Sequence, residues 1–146
     1  MKRFTLLFAA VLAFAAVSAS PALAASPHFI GTPTIAPTGN SLVVNFKAAG
    51  LGNISTVDFS LTGTVDVSSR CYTKSGNKPQ AANKQESIVV NQDATFDVRN
   101  GQTTGSFTIA PLSTLTCPGG QRVVVESVTY DLTLAGPGSL SYHFVS

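Results

Sequence analysis

The sequence is poor in charged residues and contains no tryptophan. Asp, Glu, Lys and Arg make up 11% of its 146 residues, about half of the usual share. This composition excludes a coiled coil and a charge-driven disordered tail. The formal charge of +2 comes from Lys2 and Arg3, since seven cationic and seven anionic side chains remain after them. A balanced remainder gives no indication of nucleic-acid binding.

The N-terminus has the pattern of a secretory signal peptide. Lys2 and Arg3 precede an apolar run over Phe4–Val17, and Ala22-Leu23-Ala24 forms an Ala-x-Ala cleavage site. The apolar run is shorter than a membrane-spanning helix requires. We therefore expect removal of residues 1–24, and one secreted domain over residues 25–146 without a membrane anchor. That domain would be extracellular, or periplasmic in a cell with an outer membrane.

Cysteine occurs only twice, at Cys71 and Cys117. In an oxidising compartment an even count in a small domain predicts a disulfide. A zinc site is the weaker alternative, because the two cysteines are far apart and only His28 and His143 could join them. A redox role is weaker still, since the sequence contains no Cys-x-x-Cys. We expect a structural disulfide, no metal and no cofactor.

Alternation of apolar and polar side chains dominates the chain after the signal. Between Thr56 and Cys71 the large apolar side chains fall on one face and the charges on the other, which predicts a half-buried strand. The buried side is expected to comprise Val57, Phe59, Leu61, Val65 and Val67, with Thr64 and Asp66 exposed. Gly63 offers a place for a bend or bulge in so long a strand.

Asn100-Gly101 is the strongest hairpin signal, because both residues tolerate the positive φ angles of a type I′ turn. A two-residue loop there pairs Arg99 with Gln102, and continued pairing would bring three apolar side chains to one face: Phe96, Val98 and Phe107. Further along, Val123–Leu134 has two alternating sets one residue out of step, which a bulge near Glu126-Ser127 would reconcile.

These patterns together indicate about seven strands joined by turns of Gly, Pro, Asn and Ser. We see no helix with an apolar stripe after the signal, so the sequence predicts an all-β, antiparallel β-sandwich. The architecture would be Ig-like without a true Ig signature, because no tryptophan is present to pack on the disulfide. A small barrel is the alternative.

The segment from Tyr72 to Glu86 lacks an apolar run and reads as a long polar connection. If the protein binds an extracellular glycan or a protein, we expect this segment to be the binding loop, because it is long, polar and rooted at Cys71. The candidate contact residues are Tyr72, Lys74, Asn77, Lys78 and Lys84. The alternative is a solvated connector whose lysines protect a sheet edge from aggregation.

Two short motifs resemble those of a known group of proteins. They are Cys71-x4-Gly76-Asn77-x-Pro79 with Asn83-Lys84 after it, and Cys117-Pro118-x-Gly120 followed by Ser127-Val128-x-Tyr130. Over residues 50–134 the chain is similar to an uncharacterised family of small secreted bacterial β proteins with two cysteines. The resemblance implies secretion and a disulfide. It implies no activity, because none is assigned to that family.

No catalytic constellation stands out. The sequence has no Gly-x-Ser-x-Gly elbow, and a Ser-His pair would have to use His28, on a loose terminus, or the outward-facing His143. The carboxylate pairs Asp58/Asp66 and Asp93/Asp97 are too widely spaced along their strands for glycoside hydrolysis. We therefore expect a non-catalytic binding or surface-interaction module. The alternative is a structural protein that assembles through its strand edges.

Overall fold

The computed structural model describes residues 26–75 and 79–146, so the expected signal peptide lies outside the described residues. The described part contains strands and no helix. The eight strands are β1 His28–Phe29, β2 Thr34–Thr38, β3 Ser41–Ala49, β4 Thr56–Thr73, β5 Pro79–Asp97, β6 Thr103–Ile109, β7 Gln121–Ala135 and β8 Ser141–Val145.

The strands form two antiparallel sheets of four. In the first sheet, β3 pairs with β1 and β2 along one edge and with β6 along the other. The second sheet has the order β5-β4-β7-β8. This confirms the predicted all-β sandwich, with eight strands rather than about seven. It also decides against the barrel, because the two sheets are separate.

Alternation along β4 builds the core, as predicted. Phe59, Leu61 and Val65 are each at most 1% exposed, whereas Thr64 and Asp66 are exposed. Val57 and Val67 are buried too. The first sheet covers this face with a matching set of buried side chains: Leu42, Val44, Phe46, Phe107 and Ile109.

Gly63 is required by close backbone packing and not by a bulge. Its φ angle is 138°, and a Cβ there would lie 2.0 Å from the carbonyl oxygen of Asp131 on β7. The register of β4 runs unbroken through Gly63 on both sides, so the expected bulge there is wrong. The bulge expected at Glu126-Ser127 is confirmed, because Ser68 pairs with Ser127 and Ser69 with Val125.

The predicted hairpin is correct at its turn and wrong beyond it. Asn100 and Gly101 have φ angles of 53° and 72°, and Arg99 pairs with Gln102. The chain then crosses between sheets, since β5 pairs with β4 and β6 pairs with β3. Phe96 and Phe107 still meet, with ring centroids 5.7 Å apart, but across the core and not along one sheet.

The long polar connection predicted over residues 72–86 is mostly hairpin. β4 extends to Thr73 and β5 begins at Pro79, so most of the expected loop is strand. At Glu86 the inner face of β5 meets polar groups, because Ser113 and Thr114 donate hydrogen bonds to its carboxylate. His28 also differs from expectation, because it lies in β1, opposite Ala49.

Candidate functional site

The outer face of the second sheet carries a shallow groove of about 430 Å³. Two cross-strand rows supply six of the residues that line it, and Val67 and Glu86 are the other two. In one row Asp66 of β4 lies between Ser87 of β5 and Thr129 of β7; in the other, Ser68 lies between Gln85 and Ser127. We call these six residues the outer groove. Five of them are uncharged hydrogen-bonding side chains, so the groove can exchange hydrogen bonds with a hydroxylated ligand.

A fixed tyrosine lies farther along the same face of β4. The Tyr72 hydroxyl donates to Glu126 Oε1 at 2.8 Å, and Arg70 Nε lies 3.7 Å from Glu126 Oε2. The hydrogen bond to the Glu126 carboxylate raises the pKa of Tyr72, because it favours the protonated phenol. Glu126 therefore orients the tyrosine and offsets the charge of Arg70.

Of the five residues predicted as a binding loop, the structure describes three, and Tyr72 and Lys84 lie on opposite faces of the second sheet. Tyr72 is on the outer face, and Lys74 is exposed in the turn, where its backbone N–H donates to Gly120. Asn77 and Lys78 lie outside the described residues. Lys84 is opposite the buried Ser69, so it belongs to the inner face, away from Tyr72.

Lys84 instead joins a polar cluster around Glu86 that closes one end of the sandwich. The Glu86 carboxylate accepts hydrogen bonds from Thr114 N at 2.9 Å and Ser113 Oγ at 3.0 Å, and Lys84 Nζ lies 3.1 Å away. Ser113 Oγ also lies 2.6 Å from Ser69 Oγ. The cluster fastens residues 110–120 to the second sheet. Sequence reasoning missed it, because isolated hydroxyls distant along the chain leave no pattern.

The connection between β6 and β7, residues 110–120, is called the crossover. A disulfide between Cys71 and Cys117 also fastens it to the second sheet, which confirms the predicted disulfide. Their Cα atoms lie 5.6 Å apart, and Cys71 is fully buried on the inner face of β4. Tyr72, the next residue, therefore projects from a backbone held on both sides by neighbouring strands and by the covalent link.

Acid should weaken the crossover through Glu86. Hydrogen bonds from the Thr114 hydroxyl and backbone N–H lower the pKa of Glu86 from 4.5 to about 2. A depressed folded-state pKa stabilises the fold above the unfolded value and loses that contribution as protonation proceeds. We expect stability to decline as the pH falls from about 4.5 to about 2, and Glu86→Gln to flatten that decline in thermal unfolding measured at stepped pH.

A second variant separates this effect from general acid unfolding. Thr114→Val removes the hydroxyl donor and keeps the backbone N–H, so the pKa of Glu86, measured by NMR titration, should rise toward its usual value. An equally steep decline in Glu86→Gln and the parent would show that the cluster does not control acid stability.

Within residues 26–75 and 79–146, no group of three or more His, Cys, Asp or Glu side chains is placed to hold a metal ion. His143 lies on the outward face of β8, as predicted, with Nε2 2.8 Å from Asp131 Oδ1. Both side chains of this pair are well exposed.

Comparisons with known proteins supply no family. No family model matches the chain, and no curated protein matches it. Among solved structures, the sporulation control protein Spo0M from Bacillus subtilis aligns with 82% of this chain and 47% of its own, at 19% identity and a TM-score of 0.23. The chain thus spans about half the length of that protein. Across the described residues, no helix has the length and apolar character to cross a membrane.

Proposed function

We propose that this protein is a secreted, non-catalytic binding module that holds a neutral glycan in the outer groove. The observation that carries the proposal is the pair of cross-strand rows, which align six polar side chains on one open sheet face. Sugars present hydroxyl groups at regular intervals, and side chains with both donors and acceptors match them. The open groove admits a chain that continues past both ends.

The charges near the groove favour a neutral ligand over an anionic polymer. Asp66 and Glu86 both line the groove, and both would repel a polyanion. Arg70, the cation nearest along β4, already lies beside Glu126. Tyr72, oriented by Glu126, adds an aromatic ring on which a sugar can stack. A nucleic acid would instead need a basic stripe.

The extracellular setting rests on the disulfide and on the sequence of the N-terminus. Cys71–Cys117 is the kind of bond that persists in oxidising compartments. Residues 1–24, which have the pattern of a secretory signal peptide, would direct the protein to export. A released module with a polar groove suits capture of a cell-wall or environmental polysaccharide better than it suits a reaction.

Affinity electrophoresis tests this function directly. The purified protein should be retarded in gels containing a soluble neutral polysaccharide, drawn from β-glucan, glycogen and mannan, and less retarded in polygalacturonate. Ser87→Arg places a bulky side chain in one row of the groove and should abolish the retardation. The matched control, Ser106→Arg, changes an exposed serine on the outer face of the first sheet and should retain it.

Equal retardation of the two variants would overturn the assignment to the outer groove. Migration of the parent protein without retardation in all three neutral gels would overturn the proposed ligand class.

A further inference from the structure

One edge of β7 is open over most of its length. β8 pairs with β7 only over Asp131–Ala135, and Ser146 then exchanges hydrogen bonds with the backbone of Tyr130. From Gln121 to Thr129, no strand in the described part of the chain pairs with this edge. Nine residues of strand span about 30 Å. The backbone of an edge of this length can pair with another strand.

The sequence along this edge complements itself. Residues 122–126 read Arg-Val-Val-Val-Glu. If a second copy pairs antiparallel about Val124, each Arg122 lies opposite Glu126 of the other copy, and each Val123 lies opposite Val125. Opposite charges and β-branched pairs facing each other across strands both stabilise a sheet.

The faces of these side chains agree with that pairing. Arg122 lies opposite Tyr72, and Glu126 accepts the Tyr72 hydroxyl, so both belong to the outer face. Val123 and Val125 lie opposite Cys71 and Ser69, which point inward. The bulge at Glu126-Ser127 shifts the alternation of inward and outward side chains by one residue. Matching faces between the two copies are therefore restricted to residues 122–126.

We propose that β7 is a docking edge for a second copy of this chain, paired antiparallel about Val124 in a twofold dimer. Val123 is 37% exposed and would gain a valine neighbour. β5, the long edge strand on the opposite side, fits less well because it is bridged to β6. Gln92 Nε2 donates to the carbonyl of Thr108 at 3.0 Å, and Thr103 Oγ1 donates to the carbonyl of Asp97 at 2.8 Å.

The dimer would join two second sheets into one continuous outer face. If the proposed function holds, two outer grooves then lie on that face, and a polymer that occupies both gains affinity through avidity. The pairing itself does not depend on the glycan, because it is argued only from the backbone edge and its charges.

Sedimentation velocity over a concentration series tests the pairing. The parent should form a dimer with rising concentration. Arg122→Glu and Glu126→Arg each place like charges opposite one another at two positions, so each should weaken dimerisation about tenfold or more. Mixing the two variants should restore association as a heterodimer, because acidic side chains of one copy then face basic side chains of the other. Loss of folding cannot produce that rescue.

Disulfide cross-linking gives a second measurement of the proposed pairing. Val124→Cys places two thiols opposite each other at the twofold axis, so mild oxidation should yield a disulfide-linked dimer rapidly. The control Val89→Cys is on β5, where the parent side chain is 80% exposed, and should cross-link slowly.

A parent protein that stays monomeric up to about 1 mM would overturn the inference. So would a mixture without association, or equal cross-linking rates at the two positions. Ser87→Arg lies on β5, away from this edge, so failure of glycan binding and failure of dimerisation are distinguishable.

Discussion

Phe59→Ala should lower the free energy of unfolding by about 3–5 kcal/mol, as large-to-small changes at buried aromatic positions do. Phe59 is 1% exposed, and its ring centroid lies 4.4 Å from that of Phe46 in the facing sheet. A Cβ added at Gly136 would lie 2.4 Å from the Phe59 ring, so backbone packs directly against that ring. The alanine variant leaves a cavity between the sheets. Denaturant unfolding followed by circular dichroism measures the loss.

Asp66→Ala is the matched control on the same strand. Asp66 is exposed on the opposite face of β4, so this variant should stay within about 0.5 kcal/mol of the parent. Comparable losses at the two positions would contradict the register that places Phe59 inside and Asp66 outside.

Removing the disulfide should have a similarly large effect. The bond Cys71–Cys117 closes a loop with a sequence separation of 46. The chain-entropy relation gives about 4 kcal/mol of stabilisation for a loop of this length. The double variant Cys71→Ala/Cys117→Ala should lose about that amount in denaturant unfolding. The part of the crossover after Thr114 should loosen first, because the hydrogen bonds to Glu86 and Asn40 hold the segment at Ser113 and Thr114.

Reduction of the parent supplies the independent check. Intact mass after alkylation should show two modified thiols only when reductant is added first. Reduced parent and double variant should then unfold at similar denaturant concentrations. A double variant as stable as the oxidised parent would show that the covalent link contributes little.

The sequence predicts the strands wherever one face is apolar and the other polar. Val57–Val67 is the clearest case, because every buried residue in it is at an odd position. The same logic fails over residues 79–86, where β5 runs without apolar alternation. There the inner face is covered by Ser113 and Thr114 instead of a hydrophobic layer. The strand pairing predicted beyond Asn100-Gly101 was wrong for another reason. A tight turn fixes the conformation of its own residues, but it does not determine the sheet in which each flanking strand pairs.

The candidate site was predictable only in part. Tyr72 stands out in the sequence as an aromatic residue next to Cys71, and the structure places it on the outer face. The groove itself needs Gln85, Ser68 and Ser127 from three strands in one row, and that row depends on the bulge at Glu126. The sequence pattern assigns Lys84 to a loop, in which no inner or outer face is defined. The structure places it in β5, on the inner face.

The most direct test of glycan binding in the outer groove is NMR mapping on the isotopically labelled protein. The probe is an oligosaccharide of the neutral polysaccharide that gives the strongest retardation. Binding in the outer groove should change the amide shifts chiefly at Asp66, Ser68, Gln85, Ser87, Ser127 and Thr129, with the first sheet unaffected. Shift changes centred on the outer face of the first sheet, or none at saturating oligosaccharide, would contradict it.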